Sequence, residues 1–176
     1  MAIDESRPFK PINIAVLTVS DTRTPDTDTS GDILAARITG AGHNLAARMI
    51  IRDDAALLAA QFEAWIDDPA IDAIVSTGGT GLTGRDVTPE ALAMLAGARE
   101  IPGFGELFRW LSFQSIGTST VQSRACAVVA RGTYIFALPG SNGAVKDGWD
   151  GILAEQLDSR NRPCNFVELM PRLKEV

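Results

Sequence analysis

The chain alternates between short, almost purely apolar runs and longer stretches in which apolar positions recur every three or four residues. "INIAVLTV" (12–19) is continuous and β-branched, the pattern of a strand buried on both faces. A loop dense in Ser, Thr, Asp and Pro follows (20–30). Ile33, Leu34 and Ile38 then predict a helix over Gly31–Ala41, closed by Gly40 and Gly42. "LAARMII" (45–51) reads as a second strand and "DDAALLAAQFEAWI" (53–66) as an amphipathic helix. "DAIVST" (72–77) reads as a third strand, running directly into a glycine-rich loop. Thr88 and Pro89 have the chemistry of N-cap and first residue for a helix reaching Leu95. "GELFRWLSF" (105–113) predicts a further helix, "CAVVA" (126–130) and "TYIFAL" (133–138) two short strands, and Gly143–Leu157 a last long helix.

Strands alternating with helices predict an α/β fold of three αβα layers around a mostly parallel central sheet. With 176 residues the chain suits a single domain over 1–176, its core spanning about 12–160 and its tail 161–176. In such folds ligands bind beyond the carboxyl ends of the strands. Ser20–Asp21, Arg52–Asp53, Thr77–Gly78 and Pro139–Gly140 are therefore expected on one edge. The fourth pair depends on "TYIFAL" joining the same sheet.

Composition narrows the partners. The chain is 45% hydrophobic and 22% charged, with a net charge of −6, which disfavours duplex nucleic acid and anionic membrane surfaces as partners. No apolar run reaches 18 residues, and "MAIDESRPFKP" lacks the apolar stretch of a signal peptide, so a cytoplasmic protein is expected. Cys126 and Cys164 read as free thiols, and the single His43, in "AGHNL", cannot build a zinc site alone and reads as a strand-edge residue.

The candidate chemistry centres on "STGGTGLTGRDVTPEAL" (76–92). Gly78, Gly79 and Gly81 would let backbone N–H groups approach an anion, with Thr77 and Thr80 adding hydroxyls. A tight turn without a ligand would use the same glycines. Arg85 and Asp86 tilt the balance, as a forked phosphate donor beside a hard oxygen ligand for Mg²⁺. Asp53 is a second candidate metal ligand, though either Asp53 or Asp54 must cap the following helix. Asp21 and Asp28 read as solvated loop acids, and Ser30 before Gly31 as an N-cap or as a ligand contact. "GTSTVQSR" (117–124) offers the hydroxyls of Thr118, Ser119, Thr120 and Ser123 beside Arg124, as a polar ligand edge or a solvated loop. Pro139, Gly140 and Ser141 repeat the anion geometry at a helix start. No histidine falls in these loops. Phosphoryl or nucleotidyl transfer to an already ionised nucleophile meets that condition, catalysed by positioning and charge.

"TGGTGLTGRDVTPEAL", with "VSDTR", "DTSGD", "IPGFGELFR", "GTSTVQSRA" and "ALPGS" in the same order, resembles the MoaB/MogA family of molybdenum cofactor biosynthesis over about residues 12–166. "QLDSRNRPCNF" and "SIGTSTVQSR" resemble its bacterial B-type branch. The resemblance implies a molybdopterin-binding domain assembled as a trimer, or as a hexamer made of two trimers. It implies adenylylation of molybdopterin from Mg-ATP, with release of pyrophosphate, before molybdate insertion by a MoeA-type partner. Asp53 and Asp86 match the family's essential carboxylates. Ser20, Asp21, Thr77, Gly78, Gly79, Thr80, Gly81 and Ser123 match its binding positions. Two rivals are a non-catalytic molybdopterin binder or carrier, and other nucleotide pyrophosphate chemistry of the CinA type.

Overall fold

The computed structural model describes residues 3–175 and is a six-stranded sheet between two layers of helices. In chain order the elements are β1 (Asn13–Val19), α1 (Thr29–Gly40), β2 (Asn44–Ile51), α2 (Ala55–Ile66), β3 (Ala73–Thr77), α3 (Thr88–Ala93), β4 (Arg99–Glu100), α4 (Pro102–Ile116), β5 (Cys126–Ala130), β6 (Thr133–Leu138), α5 (Asn142–Gly148), α6 (Ala154–Gln156) and α7 (Phe166–Leu169). The strand order is β2-β1-β3-β6-β5-β4. The first four run parallel; β5 and β4 are antiparallel to their neighbours, so the sheet is mostly parallel, as expected.

Alternation along the central strands builds two cores. Ile14, Val16, Val75, Phe136 and Leu138 face α1, α4 and α5, whereas Ala15, Leu17, Ile74 and Ile135 face α2 and α3. Because β1, β2, β3 and β6 are parallel and stay paired to their carboxyl ends, with Val19 beside Ile51, Thr18 beside Thr77 and Thr77 beside Leu138, all four end on one edge. "TYIFAL" does join the sheet, and the Pro139–Gly140 turn stands next to the glycine loop: Gly78 N–H donates to the Leu138 carbonyl at 2.9 Å.

Several local expectations are corrected. Helix α1 begins at Thr29 and is capped by Asp28, which accepts from Gly31 N–H at 3.0 Å; Ser30 lies inside the first turn. Asp28 is not a solvated loop acid. It is fully buried and bonded to Thr18 at 2.8 Å and Arg48 at 2.7 Å. Val87 occupies the cap position of α3, and the Thr88 hydroxyl donates to the Gly78 carbonyl at 2.9 Å. The last long helix is α5 and α6 joined through a wider π turn at Trp149–Leu153. His43 precedes β2 and is buried: it accepts from Ile12 N–H at 3.3 Å and packs on Phe9, and burial pushes its pKa down.

Candidate functional site

The glycine loop starts as β3 ends. Gly78 and Gly79 have φ of +107° and +64°, the region that side chains with a Cβ rarely adopt. A Cβ on Gly78 would stand 2.2 Å from the Val19 carbonyl oxygen, and one on Gly79 2.4 Å from the Thr88 hydroxyl. The chain therefore needs glycine at both positions to pass between β1 and α3.

Two carboxylates lie over this loop. Asp54 takes the capping role for α2, accepting from Ala56 and Leu57 N–H at 3.0 and 3.1 Å, which leaves Asp53 free. Asp53 Oδ1 is 3.2 Å from where a Cβ on Gly79 would sit, and Asp86 Oδ2 is 2.8 Å from the equivalent point on Gly81. Burial pushes the Asp53 pKa up, as do the charges of Asp21 and Asp86, against the opposing pull of Arg85. For Asp86 burial works the same way but is outweighed. The Thr83 hydroxyl and N–H, at 2.7 and 2.9 Å, and Arg124 hold its carboxyl below the ordinary range.

Crowded negative charge of this kind is relieved by a cation. Among the described residues no group of three or more His, Cys, Asp and Glu side chains is arranged to hold a metal unaided. A magnesium ion here would take oxygens from elsewhere, which fits its habit of using one or two carboxylates beside phosphates and water. Arg85 is mostly exposed and pairs with Asp21, so it does not pair with Asp86 as a local unit.

Beside the loop is a cavity of about 340 Å³, lined by Thr80, Gly81, Ser123, Pro139 and Ser141 and walled by α4. Thr80 itself is buried, and its Oγ1 has no hydrogen-bond partner among the described residues. An orphaned buried hydroxyl is costly in a packed interior and is the mark of a group that a ligand can satisfy. Thr77, by contrast, donates to the Pro139 carbonyl at 3.1 Å and ties the two loops together. Gly140 touches Gly78 backbone to backbone, with its Cβ position 3.2 Å from Gly78 Cα.

The sequence-derived candidates thus divide. Thr80, Gly81, Ser123, Pro139 and Ser141 share the cavity; Asp53 and Asp86 overlie the glycine loop beside it; Asp21 reaches that group through Arg85. Ser20 lines a separate depression at the β1–β2 end of the same edge. Ser30 and Gly31 are buried, with Gly31 close against Asp28 and Arg48. Ser119 is exposed on the 3₁₀ helix Gly117–Gln122 and lies outside the cavity lining, whereas Thr120 and Gln122 line it.

One set of residues and one role of a residue already singled out, Arg124, escape the sequence reading. Phe108, Ser112, Ser115 and Ile116 line the cavity from α4, and their helical spacing, with serines set into an apolar stripe, was the available signal. Arg124 braces the loop: its Nε donates to the Gly81 carbonyl at 2.7 Å and its Nη2 to the Asp86 carbonyl at 2.6 Å, while Nη1 pairs with Glu90. Nothing local in the sequence announces a contact across so many residues.

Comparison with known proteins gives one consistent answer. The family model described as "Probable molybdopterin binding domain" matches residues 15–159. Molybdenum cofactor biosynthesis protein B of Escherichia coli K12 is 49% identical over 170 residues, covering 97% of this chain and 98% of that one. A crystal structure of a molybdenum cofactor biosynthesis protein B superposes with a TM-score of 0.81 at 37% identity, over 86% of this chain and 94% of its own. The tungsten cofactor synthesizing protein MoaB from Pyrococcus furiosus superposes with a TM-score of 0.74 at 33% identity, over 94% of this chain and 99% of its own.

Proposed function

The chain belongs to the MoaB/MogA family of molybdenum cofactor biosynthesis, and we propose that it binds molybdopterin and adenylylates it with Mg-ATP, releasing pyrophosphate ahead of molybdate insertion. The observation that carries this reading is the placement of Asp53 and Asp86 over the glycine loop, next to a hydroxyl-lined cavity holding an unpartnered buried Thr80 hydroxyl.

In this reading the cavity takes molybdopterin. Thr80 and Ser123 donate hydroxyl hydrogen bonds to it, and the loop N–H groups receive phosphate. The molybdopterin phosphate is ionised at neutral pH and needs no base, which suits a chain whose only histidine is buried beside Phe9. Asp53 and Asp86 would hold magnesium with the nucleotide's phosphates, and the ion would supply positive charge against the negative charge of the transferred and leaving groups. Arg124 keeps Gly81 and Asp86 in place through its two carbonyl contacts. Catalysis is then orientation and charge neutralisation, with no covalent intermediate on the protein.

The whole chain acts as one molybdopterin-binding domain in the cytoplasm. No helix among the described residues is long and apolar enough to cross a membrane. Trp110, Phe113 and Ile116 on α4, with Val121 just beyond it, are more than half exposed, and so much apolar surface on one face supports a homo-oligomer, trimer or hexamer. A MoeA-type insertion protein would receive the product.

The test is direct. Purified protein is mixed with molybdopterin and Mg-ATP, and AMP-linked molybdopterin is sought by chromatography, with Asp86→Asn as control. Product lost in the control establishes the adenylyltransferase. Tight molybdopterin binding without product would make the protein a carrier.

A further inference from the structure

At the far end of the same sheet edge lies a second depression, of about 600 Å³, that the reading above leaves unused. Ser20, Arg23, Arg48 and Arg52 line it over a floor that includes Met49 and Ile50, and no carboxylate is among the lining residues. Three arginines surround this one hollow in a chain of net charge −6. Arg48 is already neutralised by Asp28 and Asp32, at 2.7 and 2.6 Å. The other two are held less tightly. The Arg52 side chain is 68% exposed and, among the described residues, comes no nearer to a carboxylate than 3.8 Å, to Asp54, which is engaged in capping α2. Arg23 donates one N–H to the Thr27 carbonyl at 2.7 Å, which orients its guanidinium and leaves the others free. Ser20 Oγ accepts from Thr22 and Arg23 N–H, both at 3.2 Å, so its own proton is free to be donated.

The order of strands gives this hollow a role. Along the edge β6-β3-β1-β2, the hydroxyl-lined cavity stands at the β6–β3 end, the two carboxylates lie against the loop that leaves β3, and the arginines stand at the β1–β2 end. Neighbouring strands are about 4.8 Å apart, so β6 and β2 are separated by roughly 14 Å, enough for a triphosphate between an acceptor and the outer strand. In-line transfer puts the attacking and leaving oxygens on opposite sides of phosphorus. An acceptor bound at β6–β3 therefore sends the leaving group toward β2.

We propose that Ser20, Arg23 and Arg52 form a pyrophosphate subsite that holds the β- and γ-phosphates of the nucleotide and then the released pyrophosphate. The inference rests on the adenylylation reading and specifies its leaving-group side. An acceptor phosphate oxygen forms the new bond to the α-phosphorus. The bond from that phosphorus to the α,β-bridging oxygen breaks, and its electron pair departs on pyrophosphate, whose charge the two guanidiniums meet with charge-assisted hydrogen bonds.

The experiment needs no turnover. Binding of inorganic pyrophosphate and of orthophosphate is measured by calorimetry, without magnesium and at low salt, on wild-type protein and on Arg23→Ala, Arg52→Ala and, as a distant control, Arg99→Ala. Saturable pyrophosphate binding is expected, tighter than for orthophosphate, weakened about tenfold or more by either of the first two variants and unchanged in the control. Equal affinity in all four proteins, no pyrophosphate binding to wild type, or no preference over orthophosphate overturns the subsite. AMP-linked molybdopterin formed by a protein failing this test would leave the adenylylation reading standing. Arginine-dependent pyrophosphate binding without that product would do the reverse.

Discussion

Asp54 accepts from the N–H groups of Ala56 and Leu57 in the first turn of α2, and its neighbour Asp53 is turned away toward Gly79. Adjacent residues of the same type thus carry separable burdens, one local and one directed at the site. Asp54→Ala should cost about 1 kcal/mol of stability, the usual worth of an N-cap, and leave turnover nearly intact. Asp53 has a folded pKa raised above 3.8, so whatever stability it contributes is present below that value and lost as pH rises through the folded pKa. Asp53→Asn should accordingly not lower the melting temperature at pH 7, while abolishing adenylylation. A destabilised Asp53→Asn protein, or an inactive Asp54→Ala protein that remains folded, would reverse the assignment.

Gly78 and Gly84 belong to the same loop but differ in constraint. Gly78 has a φ of +107° and a carbonyl oxygen 2.2 Å from its Cβ position; Gly84 has nothing within 4 Å. Gly78→Ala should lose at least about 2 kcal/mol by urea unfolding, and Gly84→Ala should stay within about 0.5 kcal/mol of wild type. Similar losses in both would mean that the loop is not held between β1 and α3.

The buried Asp28 links β1, the start of α1 and β2 through Thr18, Gly31 and Arg48. Burial opposes its ionisation, but those three donors outweigh it and hold its pKa below 3.8. Its stabilisation is complete above 3.8 and disappears as pH falls through the lower folded value. Asp28→Asn should cost about 2 kcal/mol at neutral pH, somewhat less than for a fully dry ion pair because Arg48 keeps some water. The two unfolding free energies should converge as pH falls through that lower folded value. A gap that persists unchanged into acid would show that the charge is not what matters.

Asp28 also shows where sequence reading ends. The strands were legible because buried parallel strands are written as unbroken apolar runs, and the shared edge followed from strand–helix alternation. The glycine loop, Asp53, Asp86 and the "PGS" turn were all found at strand ends for the same reason. An aspartate in a run of Ser, Thr, Pro and Asp carries no local sign that an arginine 20 residues later will bury it. The two-residue β4 and the short α7 escaped for a related reason. Arg99–Glu100 is a strand only because β5 lies beside it, and Phe166 is anchored by Tyr134, with ring centroids 4.8 Å apart. Such long-range pairings are decided by the assembled core.

Thr80 separates stability from function most sharply. Its hydroxyl is buried and unpartnered in the unliganded chain, so removing it should not weaken the fold; trading an unsatisfied polar group for a methyl of similar size is neutral or slightly favourable. Thr80→Val is therefore expected to melt at or slightly above the wild-type temperature. If molybdopterin supplies the missing partner, the same variant should bind it about tenfold more weakly, because the ligand loses one hydrogen bond and meets a methyl group instead. Ser141→Ala provides the contrast. Ser141 accepts from Ala144 N–H at 3.2 Å as the cap of α5, so its loss should lower stability by about 1 kcal/mol. Unchanged molybdopterin affinity in a stable Thr80→Val protein would remove the cavity from the binding site, and a destabilised one would mean that the hydroxyl is already satisfied within the fold.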